Sequence, residues 1–158
     1  MLISWAEQEE KIPDEQFAEI EEEIGVKLPK DYIHWVQQYA SPEDGNTYLL
    51  VDGKHYHFDA FYPPDSIIEE FEALYFGEEE FKEFGLLVPF AFDGSLNHYC
   101  FYYRPGNLNP LILWKDKNDA LEAIFDKNKL NNRVQIFGSS FTEFINALYH
   151  PAENIDSM

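Results

Sequence analysis

Positive charge is scarce in this chain: 11 lysines and arginines stand against 30 aspartates and glutamates, a formal net charge of -19 over 158 residues. So few cations allow little phosphate contact or counterion release, which argues against nucleic-acid binding and against docking on anionic membrane surfaces. Cysteine occurs once, at Cys100, which excludes an intrachain disulfide and a thiolate zinc cluster. The apolar runs fall far short of a bilayer's thickness. The opening M-L-I-S-W-A-E-Q-E-E has no basic n-region and no apolar h-region. The expectation is a soluble cytoplasmic protein with no cofactor. Internal repeats, low-complexity tracts and Gly/Ser linkers are also missing, so one domain is expected, with a core over about residues 14–149 and a frayed tail over 150–158.

What is present is apolar and aromatic. Hydrophobic residues make up 45% of the chain and aromatics 17%, too much for a disordered acidic tail. A chain of this length buries roughly 70% of its unfolded surface on folding. The acidity is one-sided. Through Phe84 there are 22 acids and 5 bases, and from Gly85 onward 8 acids and 6 bases. Solvated helix faces explain part of this, but like charges at such density repel, so the pattern also points to a basic partner steered by the field.

Local signals divide the chain into elements. Phe17, Ile20 and Ile24 lie at helical spacing over Asp14 to Ile24, and Gly25 is a natural stop. Pro29 suits the first turn of a second helix, whose stripe Tyr32, Trp35, Val36 and Tyr39 runs to about Ala40. Ser41 to Asn46 reads as a loop. Tyr48 to Val51 and Lys54 to Tyr62 flank Asp52-Gly53, the signature of a type I′ hairpin, with Tyr56, Phe58, Ala60 and Tyr62 inward. A helix is expected from Asp65 to Tyr75, then an acidic connection from Gly77 to Gly85. Leu86 to Phe92 and Asn97 to Tyr103 form a second hairpin around Asp93-Gly94-Ser95-Leu96. Leu111 to Trp114 is a short strand, Asp116 or Asn118 caps a helix through Phe125, and Arg133 to Phe137 is the last strand. Ser140-Phe141-Thr142-Glu143 fits a capping box for a final helix that Pro151 ends. Tight hairpins imply an antiparallel sheet, so the fold class is α+β: a twisted, mainly antiparallel sheet with helices packed on one face and at the ends. Trp5, Trp35 and Trp114 read as core anchors or as the lining of a groove.

Candidate chemistry is thin. His55, His57 and Asp59 share one face of a strand and could form a facial metal triad, but alternate residues lie roughly 7 Å apart, and an outward polar face explains the same pattern. Cys100 and His98 are poorly placed as a nucleophile and base, and Cys100 reads as a small buried hydrophobe. Gly138-Ser139-Ser140 is neither a nucleophile elbow nor a phosphate loop. Asp93 reads as a turn residue, or as a carboxylate offered at a hairpin tip to a partner's lysine or arginine.

Three segments in order resemble the SUKH superfamily, in its branch similar to the Smi/Knr cell-wall regulators of yeast: I-G-V-K-L-P-K-D-Y-I-H-W-V (Ile24 to Val36), L-V-P-F-A-F-D-G-S-L-N-H-Y-C-F (Leu87 to Phe101) and S-F-T-E-F-I-N-A-L (Ser140 to Leu148), with P-L-I-L-W (Pro110 to Trp114) between the last two. The resemblance implies an α+β fold and a non-enzymatic role, in bacteria mostly that of an immunity protein neutralising a secreted polymorphic toxin, many of which are nucleases. Its matched positions here, Leu28, Pro29, Tyr32, Asp93, Gly94, Trp114 and Phe141, read as fold determinants. A nuclease must be basic where it grips phosphates, so a carboxylate-rich inhibitor is chemically apt and the expected partner is a basic cognate toxin. The candidate contacts are Glu43, Asp44, Asp52, Asp59, Glu69, Glu70, Glu72 and Asp93. The alternatives are a regulatory protein-interaction scaffold and a small metal-dependent hydrolase using His55, His57 and Asp59.

Overall fold

The computed structural model describes residues 3–126, 129–131 and 134–150. Its centre is a five-stranded, wholly antiparallel sheet built from β5 (Ala60–Phe61), β6 (Leu86–Phe92), β7 (His98–Tyr103), β8 (Leu111–Lys115) and β11 (Gln135–Gly138), in the order β11-β8-β7-β6-β5. β7 runs down the middle, and Tyr99 to Tyr103 are buried without interruption, so both of its faces are covered. On one face, Phe101 packs against Tyr32 of α2 (Lys30–Gln38) and Tyr99 against Phe144 of α5 (Phe141–Asn146), at ring separations of 5.1 and 5.5 Å. Phe90 stacks on Phe101 at 4.1 Å, and Phe141 closes this aromatic interior. On the other face, Tyr102 meets Phe125, beside the 3₁₀ helix Glu79–Phe84.

The remaining helices follow from their stripes. α1 (Asp14–Ile24) buries Phe17, Ile20 and Ile24 and ends on Gly25 at φ 89°, a left-handed cap that glycine adopts without strain. α3 (Pro64–Tyr75) packs against α1 and runs along β6. The Tyr75 hydroxyl accepts from Leu87 N and donates to the Gly85 carbonyl, so a side chain satisfies backbone groups at an edge that lacks a neighbouring strand.

Several expectations are corrected. The second helix stops at Gln38, because Tyr39–Pro42 is a strand (β2), which pairs with β1 (Trp5–Glu7). The opening segment supplies a partner that no local pattern reveals, and Trp5 meets Trp35 edge-on at 5.1 Å. Pro29 is the residue capping that helix rather than its first turn. The hairpin of β3 (Tyr48–Val51) and β4 (Lys54–His57) has the expected turn, with Asp52 at φ 51° and Gly53 at φ 78°. Its second strand does not reach Tyr62. Phe58 turns wholly into the core, the chain then joins the large sheet as β5, and Phe61 rather than Ala60 or Tyr62 is buried there. The helix expected through Phe125 is only α4 (Leu121–Ile124), capped by Ala120, since Asp116 accepts from Asn118 N in a turn of its own. β9 (Phe125–Asp126) and β10 (Lys129–Leu130) form a small ladder. The last strand begins at Gln135, and Arg133 lies outside the described residues. α5 ends at Asn146 and is capped as expected, Glu143 N donating to Ser140 Oγ at 3.2 Å. Pro151 and the tail beyond it lie outside the described residues.

Candidate functional site

The polar groups converge at one end of the molecule, where the β3–β4 hairpin, the loop before it and the β6–β7 tip meet. Asp93 organises the tip. Its carboxylate accepts from Ser95 N and Asn97 N at 2.9 Å each, from Asn97 Nδ2 at 3.0 Å and from the Trp114 indole at 3.2 Å. Burial pushes the Asp93 carboxyl up, but the hydrogen bonds from Asn97, Trp114 and Ser95 outweigh it and hold the group below its ordinary value. At 7% exposure Asp93 is a turn keystone, so the set of exposed contact candidates loses it. The left-handed residue of this turn is Leu96, at φ 67°.

His57 joins the tip to the loop before the hairpin. Gly94 N donates to its Nδ1 at 2.9 Å, so the proton sits on Nε2, which donates to the Gly45 carbonyl at 2.6 Å. Gly94 fits a close approach, because a Cβ there would lie 3.1 Å from the imidazole and the ring would have to give way. The neighbouring hairpin edge is stitched to the end of the fold. Tyr48 and Tyr149 exchange backbone hydrogen bonds at 2.9 Å, the Tyr149 hydroxyl meets His55 Nδ1, and His150 Nδ1 lies 2.9 Å from the Asn46 carbonyl.

The candidate metal triad of His55, His57 and Asp59 is not assembled. Both ring nitrogens of His57 are engaged, His55 faces Tyr149, and Asp59 lies past the strand break with its amide on the Phe92 carbonyl. Among the described residues no group of three His, Cys, Asp or Glu side chains could hold a metal ion. Cys100 is wholly buried, and burial pushes its thiol up to about 12. Burial, followed by the Lys115 charge, pushes His98 down to about 4, and its Nδ1 is bonded to the Tyr62 hydroxyl at 2.8 Å. A thiol that resists ionisation beside an imidazole that resists protonation is packing rather than a nucleophilic pair. Lys115 escaped the sequence reading. It is 3% exposed, and its ammonium donates to the carbonyls of Asp116 and Asp119. The only signal for it was a lysine ending an apolar strand.

The contact candidates fall into separate surfaces. Glu43 and Asp44 are exposed in the loop just before Gly45, with the Asp44 carboxylate accepting from Asn46 N. Asp59 is half-buried at the base of the tip, and Asp52 is exposed at the far hairpin turn, where Gln135 reaches it. Glu69 and Glu72 are exposed on α3, whereas Glu70 lies 3.9 Å from His98 Nε2. Glu72 joins Glu19, Glu22 and Glu23 of α1 around an open groove of about 450 Å³ floored by Ile68. Of the matched positions, Leu28, Tyr32 and Phe141 are buried, and Trp114 is half-buried against Tyr56.

By fold and surface this is an α+β domain with a filled aromatic interior, whose polar side chains lock loops together at one end. The chain belongs to the SMI1 / KNR4 family (SUKH-1), whose sequence profile matches residues 11–147. The matched span holds all the segments that carried the resemblance to the SUKH superfamily, apart from Leu148. No curated protein matches the chain. Among the described residues no helix is long and apolar enough to cross a membrane.

Proposed function

We propose that this chain is a non-enzymatic protein-binding domain of the immunity type, which recognises a basic cognate toxin in the cytoplasm and covers its active surface. The observation that carries this reading is unneutralised charge. Against 30 acidic side chains, only two lysine–carboxylate ion pairs form among the described residues, Lys27–Glu21 and Lys82–Glu79. Uncompensated like charge destabilises a fold, and a partner that supplies the missing cations relieves it. A toxin acting on nucleic acid presents such cations at the surface where it grips phosphate. Bound there, an acidic domain excludes the substrate by occupying its place and transforms nothing itself.

Co-expression with candidate toxin domains tests the reading. The expected result is rescue of growth by this chain, co-purification of the pair, and association that slows steeply as salt rises and the Debye length falls from about 10 Å towards 3 Å. Failure to rescue any basic toxin, together with substrate turnover by the purified chain, would remove the assignment.

A further inference from the structure

Among the described residues no helix or strand covers the outer face of the β3–β4 hairpin, which Tyr149 borders. Tyr48 and Leu50 share that face with their cross-strand partners His57 and His55, while Leu49 on the reverse face is 2% exposed and packs into the core. Leu50 is 55% exposed and Tyr149 adjoins His55, so the face is aromatic and apolar at its centre. His57 ties this face to the β6–β7 tip, where Leu96 is 61% exposed. Leu96 gains nothing from water and sits at φ 67°, a region that bulky side chains avoid. Its position is enforced from below: Leu96 N donates to the Asp93 carbonyl, Asp93 N donates to Asn97 O, and the Asp93 carboxylate holds the amides on either side of Leu96. A leucine held out in one conformation loses little further entropy when a partner buries it.

The charge around it specifies the occupant. Exposed Glu43 and Asp44 immediately precede Gly45, whose carbonyl accepts from His57, and Asp59 stands at the base of the tip with its amide on the Phe92 carbonyl. Lys117, whose amide donates to Asn97 Oδ1, is an exposed cation beside the tip, whereas Lys115 across from His98 is buried. We propose that Leu96 is the apolar anchor of a docking surface formed by the tip and the outer hairpin face, seated in an apolar pocket of a folded basic protein whose lysine and arginine rim meets Glu43, Asp44 and Asp59. This rests on the immunity reading and adds the place and the geometry of contact.

The probe is the C-terminal domain of the polypeptide encoded by the reading frame adjoining this chain's own, with lysozyme as a basic protein of unrelated shape. Full-length chains are compared by surface-bound kinetics and thermal melting. Leu96→Asp is expected to weaken probe binding by about thirtyfold, mostly through faster dissociation. Leu96→Asn should also weaken binding while melting at or above the parent temperature, because asparagine accepts the left-handed region. A purely structural role for Leu96 would not separate the two readouts. Leu108→Asp, at an exposed leucine elsewhere, should leave binding unchanged. Glu43→Lys with Asp44→Lys should slow association and flatten its salt dependence. Probe binding that both Leu96 variants leave within about twofold, or lysozyme bound as tightly as the probe, overturns the anchor and leaves the immunity reading standing. No probe binding by the parent chain overturns both.

Discussion

The α1–α3 surface and the hairpin end carry charge of the same sign in opposite ways. On α1 and α3, Glu19, Glu22, Glu23 and Glu72 crowd an open groove, and the nearest apolar group, Ile68, lies half-buried beneath them. At the hairpin end fewer carboxylates surround exposed Leu50 and Leu96, and the backbone is tied by Asp93 and His57. A dense field acts at a distance and speeds encounter, whereas a rigid apolar anchor acts on contact and slows escape. The first surface is built from i, i+3 and i+4 repeats on helices and would survive the loss of any one residue. The second depends on a few long-range hydrogen bonds.

Breaking the keystone gives the largest contrast. Asp93→Ala leaves the amides of Ser95 and Asn97 and the Trp114 indole without their acceptor and should destabilise the fold by about 3 kcal/mol at neutral pH, measured by urea unfolding. Because the folded carboxyl lies below its ordinary value, its contribution is present above the unfolded value near 3.9 and is lost as pH falls through the folded one. Asp93→Asn should therefore flatten the acid limb of the stability curve.

His98 lies between the two regions, paired across the sheet with Phe92 at the tip and facing Glu70 of α3. Burial holds it neutral down to about 4, so between about pH 6.5 and that value the unfolded chain binds the extra proton and stability falls as pH falls. The expected loss is roughly 2 kcal/mol, read from denaturation midpoints at neutral pH and near pH 4.5. His98→Gln should abolish that slope. A slope that persists in the variant would place the sensitive group elsewhere.

Crowding the latch is a smaller change. Gly94→Ala sets a Cβ against the His57 ring and should destabilise by about 1 kcal/mol, with faster hydrogen exchange at the residue 94 amide. The same substitution at Gly53, where a Cβ meets nothing within 4 Å but φ is 78°, separates backbone strain from steric crowding. The smallest effect belongs to the charged helices. Glu19→Gln and Glu23→Gln relieve an i,i+4 repulsion on α1 and should each stabilise by about 0.3 kcal/mol in thermal melts. A large change there would mean that Glu19 or Glu23 has a structural partner, as Glu21 has in Leu28 N and Lys27.

The second hairpin, Leu86–Phe92 with His98–Tyr103, was legible almost to the residue because apolar strands flank a Gly-containing turn, and the stripe of α1 was legible because its spacing is helical. β1 and β2 were not, since Trp5 pairs with Pro42 and neither segment carries a strand signal of its own. At the candidate site, Glu43 and Asp44 were readable as exposed carboxylates in a turn-rich loop. Asp93 was readable as a turn residue but not as a buried one, and Leu96 passed as a loop residue with nothing to mark it as exposed and held.

Composition and local pattern alone determined the sign and lopsidedness of the charge, the α+β class and most helices and strands, because propensity, turn chemistry and periodicity act between near neighbours. Tertiary structure decided which carboxylate is locked away and which leucine stands out. Trp114 reaches Asp93 across 21 residues and His57 reaches Gly94 across 37, and a hydrogen bond of that span exists only once the sheet has closed.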